Sequence, residues 1–170
     1  NVQIDSQTLT TNLNYLQPTG FRVIINRTHY PNLEYFCQSV SHPGANLTPV
    51  ELPTRRITSV PLAGDKMTFS EVTFSIILDE NMTSYREMFD WMTRITNEGQ
   101  VSSGELLTKV PTYGDITLSV LSSHNNTIQK IKYKDCVPTS LGTIEFQSNA
   151  GTTTYVTFDA SFRFSQFEIV

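Results

Sequence analysis

Charge is scarce in this chain. Only 16% of its 170 residues are Asp, Glu, Lys or Arg, against roughly 25% in an ordinary soluble domain. Cations are the scarcer sign, 12 against 16, for a formal net charge of −4. That balance argues against tight, non-specific binding to phosphates. Cysteine occurs twice, as Cys37 and Cys136. Two such distant cysteines make no disulfide framework, and two partly buried free thiols are expected. No run of about 18 apolar residues exists, so no membrane contact is expected. The polar opening stretch, Asn1 to Asn14, lacks a basic and then apolar pattern, and no signal peptide is expected.

Hydroxyls and rings take the place of charge. Ser and Thr together number 39, and ten Phe and seven Tyr accompany a single Trp. Branched and aromatic side chains pack well on a pleated surface, so the composition favours strands. With 170 residues there is material for one sizeable core, read as a single domain over 1–170. Asn-x-Thr occurs at Asn26, Asn46, Asn81 and Asn125, no more than this Asn- and Thr-rich composition produces by chance.

Residues 1–19 show no sustained period and end at the turn signal Pro18-Thr19-Gly20, so they read as an N-terminal arm. Strand patterns follow at Phe21 to Asn26 and Leu33 to Val40, with Pro31-Asn32 as a hairpin turn between them. Residues 41–66 hold four of the eight prolines, Pro43, Pro49, Pro53 and Pro61. Proline cannot donate to a ladder, which excludes central strands and leaves only Arg55 to Val60 to pair, as an edge or protruding ribbon. An extended loop this long is usually functional or docks on a partner.

Thr68 to Leu78 alternates, with Val72, Phe74, Ile76 and Leu78 on one face. Tyr85, Met88, Phe89, Met92 and Ile95 then follow helical spacing, which predicts a helix over about 82–96 capped by Asp79 or Asn81 and ended by Gly99. Trp91 lies beside that stripe, where it reaches a second surface. Strands resume at Asp115 to Ser122 and Thr127 to Lys134 around a His124-Asn125-Asn126 turn. Pro138 to Gly142 reads as another turn, and Thr152 to Glu168 as one long strand with Val156, Phe158, Ala160, Phe162 and Phe164 on one face. About eight strands and one helix make the chain mainly β, an antiparallel β-barrel or sandwich with a flanking helix and a long Pro-rich loop.

Nothing in the sequence carries chemistry. His29, His42 and His124 stand apart in turns, without metal-ligand spacing. There is no Cys-x-x-Cys, Gly-rich phosphate loop or nucleophile elbow. Asp79-Glu80 is better explained by helix capping than by acid/base work. No enzyme activity, cofactor or metal is expected. The Lys130, Lys132 and Lys134 face reads as an outward strand face kept soluble by lysine, with an acidic protein partner or phosphates as the alternatives.

Read in order, these segments resemble the tail tube proteins of contractile-tailed, T4-like bacteriophages. The specific stretch is Ala63-Gly-Asp-Lys-Met-Thr-Phe-Ser-Glu-Val-Thr-Phe-Ser-Ile-Ile-Leu-Asp-Glu80, running into Tyr85-Arg-Glu-Met-Phe-Asp-Trp91. It is similar to that family's "AGD…F…V.V..DE" strand and "F.DW" helix. Phe21-Arg-Val, Phe36-Cys37 and Pro43-Gly44 are similar to its opening hairpin and loop. Val137-Pro-Thr-Ser-Leu-Gly142 is similar to its "WPTNVG" turn, with Val137 where Trp is common, and the strand through Phe158 and Phe162 also fits. The resemblance spans about residues 18–168.

What the resemblance implies is a structural virion protein. Six copies would close a ring, and rings would stack into the tube that conducts DNA through a contractile tail. Implied partners are further copies of the chain, the tail sheath protein, the baseplate hub or tube initiator, and the tape-measure protein and DNA in the channel. Its location would be the virion tail, after assembly in the bacterial host cytoplasm. Contacts between copies are expected at Arg55, Arg56, Ile57, Val60, Leu62, Gly64, Asp65 and Lys66 and along the arm. Alternatives are a tube initiator or terminator of the same fold, a ring protein of a related secretion or injection system, and a monomeric β-sandwich binding module.

Overall fold

The computed structural model describes residues 16, 18–25, 30–53, 60–98, 113–148 and 155–170. In chain order its elements are β1 (Phe21–Ile24), α1 (Pro31–Tyr35), β2 (Cys37–Ser41), β3 (Ala45–Leu47), β4 (Val50–Leu52), β5 (Val60–Leu62), β6 (Met67–Phe69), β7 (Val72–Ile77), α2 (Thr83–Glu98), β8 (Gly114–Leu121), β9 (Thr127–Leu141), β10 (Thr157–Arg163) and β11 (Gln166–Ile169). The main path runs β1-β8-β9-β10-β7-β2, all antiparallel, with β11 added on β9.

That path folds over on itself at β9. The first part of β9 pairs with β8 and β11, and its last part pairs with β10. The corner lies at Asp135, whose φ of 53° places a non-glycine residue in the left-handed region. Hydrogen bonds hold it there: its N–H donates to Asp115 Oδ1 at 3.2 Å, and Ser165 Oγ donates to its Oδ2 at 3.0 Å. Two layers result, β1-β8-β9-β11 and β9-β10-β7-β2, joined through one bent strand. The architecture is a sandwich rather than a closed barrel. Among the described residues β1 pairs only with β8 and β2 only with β7. Thr19, Phe21, Val23, Tyr35 and Cys37 line a cleft of about 440 Å³ between those two edges.

Several strand expectations are corrected by this topology. Phe21–Ile24 and Cys37–Ser41 do not form a hairpin with each other. They flank the short helix α1, whose first residue is Pro31, a position where the missing N–H costs nothing. Pro138 lies inside β9 opposite Phe162, beside a bulge, and not in a turn. The segment expected as one strand up to Glu168 breaks at Phe164-Ser165, where Ser165 meets the Asp135 corner. Residues 152–154 of that segment lie outside the described residues, as does Gly99.

The core is built from alternating positions. Val72, Phe74 and Ile76 of β7 face Phe158, Ala160 and Phe162 of β10, Ile116 and Leu118 of β8, and Tyr133 of β9, all buried. Helix α2 lies against this interior through Ser84, Met88 and Trp91. Trp91 is 1% exposed, with its ring 5.4 Å from Phe162 and stacked on Tyr30 at 4.5 Å. Gly114 runs beneath the same indole, which a Cβ there would meet at 3.4 Å. The apolar stripe is therefore Tyr85, Met88, Trp91, Met92 and Ile95, and Phe89 is exposed. The i, i+3, i+4 pattern is satisfied equally by Phe89 or Trp91, and the larger ring takes the interior.

Both helices are capped by carboxylates. Glu87 of α2 accepts bonds from Asn32 N and Leu33 N, each at 3.1 Å, and from Asn32 Nδ2 at 2.6 Å. It thereby satisfies the first free N–H groups of α1, which has no side-chain cap of its own. At the start of α2 Asp79 Oδ1 accepts from Ser84 N and Ser84 Oγ, as the sequence led us to expect of Asp79. Slight burial opposes ionisation of Asp79, but bonds from Thr83 and Ser84 outweigh it and hold the carboxyl at about 2. A depressed carboxyl stabilises the fold above its unfolded value near 4 and loses that contribution as pH falls towards 2. Asp79→Asn is accordingly expected to melt lower than the wild type at pH 6, with the gap closing by pH 2. A gap that persists at pH 2 in thermal melts would refute the assignment.

A candidate assembly surface

The Pro-rich segment is a β-ribbon. β3 pairs with β6, and β4 pairs with β5, as two short antiparallel ladders projecting from the ends of β2 and β7. Ser70 N donates to Gly44 O at 3.1 Å and carries the pairing back towards the body. The earlier expectation of pairing only at Arg55 to Val60 is corrected. Prolines 43, 49 and 53 fall between strands, and Pro61 sits opposite Glu51 on a two-stranded ribbon, where a missing donor is tolerated.

The ladders place large apolar side chains together. Val50 faces Leu62 and Leu52 faces Val60, so all four share one face of that ladder, with Glu51 and Pro61 on the other. In the other ladder Leu47 faces Met67 and Ala45 faces Phe69, leaving Asn46 and Thr68 opposite. Leu47, Val50, Leu52, Val60, Leu62 and Met67 are between 44% and 56% exposed. A two-stranded ribbon is marginal in water even without such a load. Gly64 lies where the ladders meet: a Cβ there would stand 1.7 Å from Thr48 O, so no other residue fits without parting the strands.

The ribbon's root is tied to the sandwich by aromatic contacts. Phe69 lies 5.6 Å from Phe164 and 5.2 Å from Phe167, and Tyr133 lies 5.2 Å from Phe164. His42 Nδ1 is 2.7 Å from the Tyr133 hydroxyl, which gives that buried ring its polar partner. Burial lowers the His42 value and raises that of Tyr133, with Cys136 adding to the latter, so both stay neutral around pH 7.

Of the expected contact residues, Val60 and Leu62 lie on the apolar face of β4-β5 and Gly64 at the crossing. Asp65 and Lys66 are exposed in the connection to β6. Arg55, Arg56 and Ile57 lie outside the described residues, as does most of the arm. Sequence reasoning passed over Leu47, Val50, Leu52 and Met67. The period-two spacing of Val50 and Leu52, answered by Val60 and Leu62, was the available signal, and the prolines between them obscured it.

The outward faces of the two sheets differ in charge. On the first, Arg22, Ser119 and Lys130 form one cross-strand row, and Thr117, Lys132 and Glu168 the next. Lys134 reaches Glu168 at 2.5 Å. On the second, Ser41, Thr73, Ser161 and Ser140 form one row, Ser39, Ser75 and Asp159 the next, and Thr157 follows beside Ile77. Thr73 Oγ1 and Ser161 Oγ are 3.0 Å apart, so the hydroxyls bond to one another. Gly142 allows the close pass of β10, since a Cβ would stand 2.9 Å from Asp159 N.

Neither cysteine is bonded to another, as expected, and burial pushes both thiols up to about 12. Thiols held that high do not act as nucleophiles at neutral pH. Among the described residues no three His, Cys, Asp or Glu side chains converge as a metal site.

Solved structures of the same shape come from contractile machines. The chain is similar to one in the anti-feeding prophage cap, described as a tube-terminating cap, with 13% identity and a TM-score of 0.67 over 99% of this chain and 98% of that one. It is also similar to one in the sheath–tube complex of the extracellular contractile injection system PVC in its extended state: 15% identity and TM-score 0.66, over 96% and 99%. The sheath/tube terminator of that system follows at 12% and 0.58, over 94% and 99%. At these identities the likeness is one of fold. No curated protein sequence matches the chain. A family model for phage tail tube proteins matches residues 1–170, the whole sequence, and the chain belongs to that family.

Proposed function

We propose that this chain is the repeating subunit of the tube of a contractile phage tail, with the whole chain acting as one tube domain. Copies close into a ring, six on the resemblance noted above, and rings stack into a conduit for DNA enclosed by a sheath and started from a baseplate. The observation that carries this reading is the ribbon, which exposes six large apolar side chains on a framework too thin to stand alone. Burying roughly 80 Å² more of each, at about 25 cal/mol per Å², makes each worth up to ~2 kcal/mol on docking. A head-to-tail contact of this kind, between different patches on successive copies, propagates without limit. Val60, Leu62, Gly64, Asp65 and Lys66 then belong to the contact between rings, with Arg55, Arg56, Ile57 and the arm beside them. The role is structural, with no reaction to catalyse, and its place is the virion tail.

A second reading, a terminal ring that ends the tube, is favoured by the near-complete overlap with the tube-terminating cap. A terminator would add one ring to a preformed tube and stop. A repeating subunit extends it.

Negative-stain microscopy with sedimentation velocity decides the matter. The purified chain is expected to form rings and hollow tubes, alone or on a baseplate template. A variant lacking 50–62, which closes β3 onto β6 through a short turn, is expected to stay folded and form no tubes. Normal tubes from that variant, or failure of the wild type to extend a template, would overturn the reading.

A further inference from the structure

We propose that His42 is a proton-operated latch, which ties the root of the ribbon to the sandwich while neutral and releases it on taking a proton. The latch goes beyond the tube reading and does not depend on it. β2 ends at Ser41 and β3 begins at Ala45, while β6 ends at Phe69 and β7 begins at Val72. The ribbon therefore leaves the body through two short joints, His42 to Gly44 and Ser70 to Glu71. From the first joint His42 reaches the other sheet, where its Nδ1 lies 2.7 Å from the hydroxyl of Tyr133 on β9. Rings close around that bond. His42 meets Phe167 edge to face at 5.0 Å, and Phe167 meets Phe69, the last residue of β6, at 5.2 Å.

The charge on the imidazole decides whether the bond can stand. Tyr133 is fully buried, and among the described residues His42 is the partner of its hydroxyl. A neutral imidazole with its hydrogen on Nε2 presents a lone pair at Nδ1, so the Tyr133 O–H donates to it and both groups are satisfied. His42 itself is exposed, so water can deliver a proton. Protonated, both ring nitrogens are donors, and the buried hydroxyl is left with a hydrogen that has no acceptor. The imidazolium also lacks water on the side facing Phe167 and Tyr133. Both effects disfavour the charge while the latch is closed, in line with a His42 value that burial lowers. The surrounding groups do not reverse that sign. Phe69, Phe164 and Phe167 are uncharged, and Cys136 beside Tyr133 is a thiol held neutral by burial. Lys134 of β9 is paired with Glu168 of β11 on the sheet's outward face, and Asp135 is bonded by Ser165. Arg163, with Phe69 and Phe164, lines a cavity of about 190 Å³ at the root, and Glu71 is exposed in the other joint. Among the described residues no carboxylate bonds to the imidazole.

The direction of the switch follows. With the latch open the imidazole stands in water and takes its proton near the ordinary value of about 6.5. Closed, it takes one only at lower pH. Between the two values the open form binds more protons. Opening therefore gains as pH falls from about 6.5 through the lowered value, and levels off below it. Under the tube reading, on which this consequence alone rests, acid loosens the ribbon's contact with the next copy.

Proton NMR of the dispersed chain tests the latch without any assembly. The nuclear Overhauser cross-peak between the Phe69 and Phe167 rings reports the ribbon's root, and the His42 ring protons report its charge. Between about pH 7.5 and pH 5 the cross-peak is expected to fall roughly threefold or more, in step with a His42 titration centred below that of an ordinary histidine. His42→Gln offers Tyr133 an amide oxygen and does not titrate, so its cross-peak is expected to hold across the whole range. Tyr133→Phe keeps the buried ring and covers the case in which the glutamine variant fails to fold. Without the hydroxyl bond its loss of cross-peak with pH is expected to be at least halved. An unchanged wild-type cross-peak, a His42 midpoint at or above the ordinary value, or the full wild-type loss in the folded variant overturns the proposal. Each of those results leaves the tube reading intact, and a chain that forms no tubes leaves the latch intact.

Discussion

Replacing Val50 with Lys and Leu62 with Glu is expected to abolish stacking of rings while the subunit itself melts within about 2 °C of the wild type. The two residues face each other on the β4-β5 ladder and are about half exposed. Opposite charges across a ladder preserve its pairing, so the ribbon keeps its form. Exposed positions tolerate such changes within roughly ±0.5 kcal/mol. In a docked state the same side chains must leave water, and a charge without a matched partner costs several kcal/mol there. With tenfold in affinity for each ~1.4 kcal/mol, a penalty of about 4 kcal/mol per contact weakens stacking by roughly a thousandfold. Because a tube repeats that contact, growth should stop at single rings or monomers. Tubes of normal length in electron micrographs at the wild-type concentration would mean that this face of the ribbon stays in water.

Trp91→Ala is expected to cost about 3–5 kcal/mol, the range for removing a large buried ring. The indole is enclosed by Tyr30, Phe162 and Gly114. The Arg94 guanidinium lies over the Tyr30 ring, 5.6 Å from its centroid, so the loss of Trp91 also loosens that contact. Against a typical stability of roughly 5–15 kcal/mol, the variant should unfold at much lower urea and assemble poorly for want of folded subunits. Phe89→Ala, one position outside the stripe and exposed, is the control and should move the urea midpoint by less than ~0.5 kcal/mol. Equal effects at positions 89 and 91 would show that the helix packs in a different rotation.

Much of this was legible along the chain. Alternation at Val72, Phe74 and Ile76 and at Phe158, Ala160 and Phe162 marks the buried faces of two strands, because a strand's period is local. The helix is legible for the same reason, to within two residues at its end, and its cap is narrowed to Asp79 or Asn81, of which the structure uses Asp79. The motifs at Ala63 to Glu80 and Tyr85 to Trp91 pointed to the family that the whole chain matches. Other features were hidden by their own local signals. Prolines suggested a loop where a two-stranded ribbon stands, since a proline on a narrow ribbon has a far edge that no ladder uses. Pro138 suggested a turn where a bulge keeps the strand running.

By itself the sequence determined the class: a charge-poor, hydroxyl-rich antiparallel protein with one amphipathic helix, the faces of its strands, and the family. Tertiary structure decided which strands meet. Phe21–Ile24 joins β8 and Cys37–Ser41 joins β7, although the two are near neighbours in the chain, because pairing is settled by contacts distant in sequence. It also decided where the path folds over. Asp135 takes a left-handed backbone only because Asp115 and Ser165, one before it and one after, converge to hold it. The charge contrast between the two outward faces follows from the same cause. Serines and threonines spread over four strands become one surface only when register places them in rows, and no period within a single strand records that.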